Sequence, residues 1–431
     1  MLKRFNINKS KSFSLKYTSN HPTVIGLVDK LWEKLPVDKT KNVKLKKECL
    51  TNVLINLNSG YKNFKYIRYN RWKNYYADLP RRYKPDYYTH SIMTGVIDGL
   101  ESMGLIESIP GFINLKDKTK LRTAICAKRK FFNRLQLIKN NMIEDVKPLE
   151  TIILRDRKSG FMLNYNDTNT TSKMRRDVIS YNELRQDTIF SMSNLTPNLI
   201  SLNQEYFNQF SKNEFTENDT EIVLRSSYVN RIFNGSFRSA GRFYNGLESN
   251  ASKDLRSRIL INGNPTVEKD YSCLHINMLY NKNKLPLKGD AYNKVSKGDP
   301  ELRKLYKLIA LLSLNSTDRK SCIKALRNEI RDNDLGKLFT VLSDNNISTY
   351  LDKWITAHPD ISNYLNSDVG IKLQYEDSQL AAGIINHFTE KGLAVLVIHD
   401  SFIIEKEHES ELEQIMKDVY EKKYKFVPNV S

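Results

Sequence analysis

The chain is poor in cysteine: Cys49, Cys126, Cys273 and Cys322 are the only four in 431 residues. They form no C-x-x-C pair, which argues against a zinc framework or a disulfide scaffold and fits a reducing compartment. No apolar run approaches the roughly 18 residues of a membrane span. The opening "MLKRFNINKSKSF" is basic and has no apolar stretch behind it, so the expectation is a cytoplasmic protein without membrane contact. No internal repeat is visible, which removes solenoid architectures. Acids are the minority charge, 49 against 68 Lys and Arg, for a formal net charge of +19. Such a field favours polyanions over acidic proteins or small neutral substrates, and nucleic acid is the leading partner. A Lys-rich coding bias is the alternative source of the charge.

The length allows two or three domains. Residues 21 to 60 place apolar positions at helical spacing in "TVIGLVDKLWEKL" and "LKKECLTNVLINL", predicting amphipathic helices. The following stretch, "YKNFKYIRYNRWKNYYADLPRRYKPDYYTH", interleaves aromatic rings with cations. It either stacks bases while neutralising phosphates or is a loop whose aromatic stems pack on the domain. In "THSIMTGVIDGLESMGLIESIPGF", Thr89 or Ser91 caps a helix with Ile92, Val96, Leu100 and Met103 on one face. Gly104 ends it, and "LIESIPGFI" reads as a hairpin turning at Pro110-Gly111. This pattern, over about residues 85 to 115, resembles a winged helix-turn-helix and equally fits a structural helix-hairpin unit. "SGFMLNYNDTNTTSKMRRD" lacks periodicity. The predicted organisation is therefore a mostly helical nucleic-acid-binding domain over 1–158, a flexible connection over 159–178, and a further domain over 179–431.

The residues that carry chemistry begin at 231. "PTVEKD" reads as a strand ending at Asp270 and "SCLHINMLY" as the helix leaving it. "LAVLVI" and "SFIIE" read as strands flanking a tight turn that holds His399 and Asp400. Two Asp residues at strand ends in one sheet suit phosphoryl transfer, where carboxylates hold two divalent cations. Taken alone, Asp400 equally fits an Asx turn. "RKLYKLIALLSLNS" places Arg303 and Lys307 four apart on one helical face, fit to clamp a triphosphate or simply to face solvent.

The order of "AGRFY", "DYSCLHI", "RKLYKLIALLSLNS" and "IHDSF" over about residues 231 to 410 resembles the palm and fingers of A-family DNA polymerases and single-subunit phage-type RNA polymerases. It is also similar to the divergent A-family-like polymerases of plasmids, phages and other mobile elements, some of which act as primases. The resemblance implies an α+β fold, a right-hand palm with an antiparallel sheet and helical fingers. It implies Asp270, Asp400 and the Tyr271 carbonyl as ligands of two Mg2+ ions, with Mn2+ as a substitute, and Lys307 as a catalytic proton donor. Arg303, Lys307, His275, Asn315 and Tyr271 would bind nucleotide, and Arg242, Tyr244 and His399 nucleic acid.

Four positions depart from the DNA-polymerase pattern. His275 stands where those enzymes have a Glu that crowds the ribose 2′-hydroxyl, Asn315-Ser316 replaces Tyr-Gly, and Ser401 follows the second Asp as in the RNA polymerases. Ser401, together with Cys273 in "DYSC", tilts the expectation toward ribonucleotide-tolerant chemistry, while His275 leaves sugar discrimination relaxed or differently built and Asn315-Ser316 bears on fidelity and elongation rate. No proofreading exonuclease is visible. The resulting expectation is a DNA-directed nucleotidyltransferase, primase or polymerase, in mobile-element replication. Its partners would be nucleoside triphosphates, single-stranded or primer-template DNA, and a helicase or single-strand-binding protein. The competing readings are a DNA-binding replication initiator or regulator with a degenerate polymerase-like half, and a structural nucleic-acid-associated protein.

Overall fold

The computed structural model describes residues 10–113, 120–332 and 344–431, and it is a mixed α+β chain with several sheets. It divides into two compact units, residues 1–230 with 245–266, and residues 231–244 with 267–431.

In the first unit, the helices Pro22–Lys34, Val43–Lys62 and His90–Ser102 form where the periodicity predicts them. Their apolar stripes, among them Val28, Val53, Leu54, Leu57 and Ile97, share one core with Ile67 and Ile125. Burying such a stripe is what makes these helices stable, since isolated helices of this length are marginal in water. The sheet in this unit runs in the order Lys11–Ser12, Ile67–Tyr69, Thr123–Ala127, Ile106–Ile109. A second set pairs Phe190–Met192 antiparallel with both Ile222–Leu224 and Ile259–Ile261. Arg185 and Glu248 form a fully buried ion pair at 3.0 Å.

Several expectations for this unit are corrected. In the aromatic and basic stretch Phe64 and Trp72 are exposed, whereas packing on the domain holds for Tyr66, Tyr69, Tyr76, Tyr87 and Tyr88, all buried. Burying those rings gains more than leaving them in water. The chain does not turn back at Pro110-Gly111. Ile106–Ile109 pairs with Thr123–Ala127, and Phe112–Ile113 pairs with Lys120–Leu121, so strand pairing goes on past Pro110-Gly111; residues 114–119 lie outside the described residues. Gly111 permits this because a Cβ there would lie 2.4 Å from the Leu121 carbonyl oxygen. The helix His90–Ser102 is capped by Thr89 as expected, yet Ile92, Met93, Thr94, Val96, Ile97, Gly99 and Leu100 are buried. Its exposed positions are Ser91, Asp98, Glu101 and Ser102, none of them a cation, so this face offers phosphate no Lys or Arg side chain. The segment read as a connection is helical from Asn169 onward, because Thr168 and Thr171 cap each other's backbone and start the helix Asn169–Asp187.

In the second unit, the end of the strand Asn264–Asp270 lies beside Ser401–Glu405, which lies beside Leu396–Ile398. Helices Leu274–Lys282, Pro300–Asn315, Arg319–Asp332, Asp344–Ala357, Gly370–Glu390 and Glu409–Tyr424 belong to the same unit. The long helix Gly370–Glu390 packs along the strand Ala240–Tyr244 with Leu373, Leu380, Ile384 and Phe388 buried. Gly241 makes this approach possible: its φ is +84°, and a Cβ would sit 2.5 Å from the Phe233 ring and 2.9 Å from Ser378 Oγ.

Candidate active site

Two strand ends of the second unit bring the predicted carboxylates to one place. Leu396–Ile398 and Ser401–Glu405 pair antiparallel with Ile398 opposite Ser401, leaving His399 and Asp400 as the two-residue turn. His399 takes the left-handed conformation, φ +61°, which His tolerates better than most side chains. The Asp400 carbonyl accepts a hydrogen bond from the Tyr271 N–H at 3.3 Å, so the hairpin tip is tied to the residue after Asp270.

The Asp270 carboxyl is pushed up to about 7, first by desolvation among crowding atoms and then by Asp400 and Glu268, with Lys307 and the Tyr271 N–H opposing. The residue as a whole is solvent-exposed, so this is an accessible acid held among like charges. Glu268 was not singled out by the sequence reading, although a strand places residues two apart on one face and "EKD" carries that signal. Its carboxylate accepts a hydrogen bond from Ser401 Oγ at 2.6 Å, across the two strands that carry the Asp pair.

The helix Pro300–Asn315 starts at Asp299, whose side chain accepts from the N–H groups of Glu301 and Leu302, with Pro300 in the first turn. It buries Leu305, Tyr306, Ile309, Ala310, Ser313 and Leu314 and turns Arg303 and Lys307 outward. Both cations lie over the Tyr292 ring, at 5.2 Å for Arg303 and 5.8 Å for Lys307. Arg303 is engaged by Asp290, with Nη2 donating to Oδ2 at 2.5 Å. Lys307 acts on the Asp270 carboxyl, favouring its ionised form.

Arg242 and His275 converge on a residue the sequence reading passed over. The Asp377 side chain is fully buried. It accepts from Arg242 Nε at 3.1 Å on both oxygens, from Arg242 Nη2, and from His275 Nε2 at 2.7 Å. Burial pushes the Asp377 carboxyl up, but His275 and Arg242 together hold it below the usual carboxylate range. The legible signal was an acid on the apolar stripe of its own helix, in register with Leu373, Leu380 and Ile384, where only a paired charge is tolerated.

The remaining predicted residues are placed as follows. His399 Nδ1 is buried without a hydrogen-bond partner, and Tyr244 meets the His399 ring edge-on at 5.9 Å. The imidazole is held below its usual value by burial and by Arg242. The Tyr271 side chain is core, its hydroxyl donating to the Met416 carbonyl at 2.5 Å. Asn315 caps its own helix, Nδ2 donating to the Leu311 carbonyl at 2.7 Å, and abuts Gly370. Arg242, expected at a nucleic-acid backbone, is turned inward with a side-chain exposure of 15%.

Hard carboxylate oxygens are the donors that Mg2+ and Mn2+ prefer, and Asp270 and Asp400, like charges that Lys307 offsets only in part, fit a divalent cation. Elsewhere among the described residues, ligand atoms of Glu405, Glu407 and His408 lie within 4.8 Å of one another. That trio, with Glu405 buried, Glu407 exposed and His408 half-buried, is at the opposite end of the strand Ser401–Glu405 from Asp400.

No protein-family model matches the chain, and no curated protein matches it in sequence. Among solved structures, it is similar to the POL domain of Pol1 from M. smegmatis, solved as a complex with DNA primer-template and dNTP. The identity is 9%, the TM-score 0.34, and the match covers 96% of this chain and 66% of that one. Among the described residues, no helix is long and apolar enough to cross a membrane.

Proposed function

We propose that the unit of residues 231–244 and 267–431 is a template-directed nucleotidyltransferase, a primase or short-product polymerase acting on DNA. The observation that supports it most is the joining of two strand ends so that Asp270 and Asp400 share one electrostatic site, tied through the Tyr271 N–H and the Asp400 carbonyl at 3.3 Å.

Asp270 and Asp400, with the Tyr271 carbonyl, would hold two divalent cations. Bound there, the cations would supply charge for the attacking and leaving oxygens of phosphoryl transfer. Lys307 and Arg303 bind the triphosphate from one helical face. Tyr292 beneath both gives their stems a fixed platform. Lys307, already acting on Asp270, carries the proton that the departing pyrophosphate takes up. Arg303 reaches phosphate by sharing or exchanging Asp290, since one guanidinium offers five donors. His275, held by Asp377, lines the same site. With Ser401 after the second Asp, it favours tolerance of ribonucleotides. The Arg242–Asp377 pair holds the floor of the site rigid, which is what a reaction driven by positioning requires. Nucleic acid reaches the site through the positive field of the chain, and replication of a mobile element is the setting proposed for it.

The test is incorporation of labelled nucleotides on single-stranded DNA, with and without primer, comparing NTPs with dNTPs in magnesium. Synthesis that Asp270→Ala and Asp400→Asn each abolish, with DNA binding retained, supports the reading. Undiminished synthesis in either variant removes it. DNA binding without any synthesis would favour a replication initiator, a reading for which the helix His90–Ser102 supplies no cationic face.

A further inference from the structure

Backbone groups of an extended segment point alternately to its two edges, and around Asp270 both edges are occupied. On one edge the Tyr271 N–H meets the Asp400 carbonyl. On the other, the Asp270 N–H donates to the Ser431 carbonyl at 2.9 Å, and the Ser431 N–H donates back to the Asp270 carbonyl at 3.0 Å. The Ser272 N–H donates to the Asn429 carbonyl at 2.9 Å, and Tyr271 faces Val430 as an antiparallel bridge. Residues 429–431 therefore add a short strand alongside the segment that carries Asp270.

The position matters because the chain leaves extended geometry immediately afterwards. Cys273 is left-handed, φ +52°, and the helix Leu274–Lys282 follows. A strand end with one open edge frays, and the direction of a carboxylate follows its Cα–Cβ bond. The helix leading to residues 429–431 is itself anchored here. Lys269 Nζ lies 2.7 Å from Glu409 Oε1, and the Tyr271 hydroxyl bonds Met416.

We propose that Asn429–Ser431 is a positioning strap of the metal site, required for cation binding and turnover although it contributes no side chain to either. This rests on the nucleotidyltransferase reading above. Groups that orient metal ligands are worth about 10- to 100-fold in metal affinity or activity, and the strap belongs with them.

The experiment compares Ser431→Pro, which removes the N–H that bonds Asp270, with Ser431→Ala, which keeps the backbone, both in the full chain. Mn2+ binding is followed by the loss of the free-ion EPR signal, alongside nucleotide incorporation, DNA binding and thermal unfolding. Ser431→Pro is expected to weaken Mn2+ binding about 10-fold or more and to lower kcat with the nucleotide KM and unfolding midpoint unchanged, while Ser431→Ala behaves as the parent. Parental Mn2+ affinity and turnover in Ser431→Pro would overturn the strap. Hydrogen exchange at the Asp270 and Ser272 amides separates its failure from that of the underlying reading. Amides that stay protected in Ser431→Pro refute the strap. Amides that become labile in Ser431→Pro, in a parent that binds no Mn2+, refute the metal site and with it the strap's role there, although the strand pairing itself holds.

Discussion

Replacing Asp377 by Asn keeps the shape of the side chain and removes its charge. The fully buried carboxylate accepts from Arg242 and His275, and the Arg242 side chain is only 15% exposed. Loss of one partner of a buried ion pair leaves the other charge desolvated and costs about 3–5 kcal/mol. The amide adds two donors facing donors already present, while the residual exposure of Arg242 lets some water in, so about 3 kcal/mol is expected. The unit has its own optical probe. Trp354 is fully buried in it and the other two tryptophans, Trp32 and Trp72, lie in the first unit. In a background with Trp32 and Trp72 changed to Phe, urea unfolding read by Trp354 fluorescence reports this unit alone. Asp377→Asn should lower the midpoint with the slope preserved. The double variant Arg242→Met with Asp377→Asn should recover most of the loss, because no buried cation is then unpaired. A single-variant loss below about 1 kcal/mol, or a double variant as unstable as the two singles added, would refute the view of Asp377 as a buried counter-ion.

Other outcomes follow from the same structure. His358 is fully buried, its ring nitrogens bonding the Tyr280 hydroxyl at 3.0 Å and the Ala291 carbonyl at 3.1 Å, and burial pushes its pKa down to about 4. The unfolded chain therefore binds the proton first as pH falls below about 6.5, so stability is full above that value and is lost toward pH 4. Urea unfolding should show about 2 kcal/mol less stability from this group at pH 5 than at pH 7, a difference that His358→Gln should remove. Thr168→Ala deletes the capping box of the helix Asn169–Asp187 and should cost about 1 kcal/mol, measured as a lower denaturation midpoint for the first unit. Glu268→Ala breaks the bond to Ser401 and should weaken Mn2+ binding by about 10-fold in calorimetric titration, whereas unchanged affinity would make Glu268 a bystander.

Much of the local architecture was legible because its signals are local. Apolar spacing in "TVIGLVDKLWEKL", the Thr89 cap and the apolar runs around His399-Asp400 each act within a few residues, and each element formed where it was read. The misreadings came where a distant segment decided. Pro110-Gly111 resembles a turn by itself, yet Thr123–Ala127 pairs with Ile106–Ile109 and the strand pairing goes on past it. The cationic and aromatic stretch before residue 90 left binding surface and packed loop both open, and the core claims Tyr66, Tyr69, Tyr76, Tyr87 and Tyr88 but not Phe64 or Trp72. Ordered motifs marked Asp270, Asp400, Arg303 and Lys307, but no spacing rule connects Arg242 to Asp377, which is 135 residues away.

The sequence by itself determined the strand ending at Asp270, the helix after it, the helix carrying Arg303 and Lys307, the hairpin at His399-Asp400, and the sign of the chain's net charge. Those properties follow from side-chain period, turn chemistry and net charge, which need no knowledge of distant contacts. Only the tertiary structure decided that Arg303 leans on Asp290 and that Arg242 and His275 share the buried Asp377. It alone brought residues 429–431 alongside Asp270. Partners of that kind are chosen by desolvation and packing between elements far apart in the chain, and a linear pattern carries no record of which elements will meet.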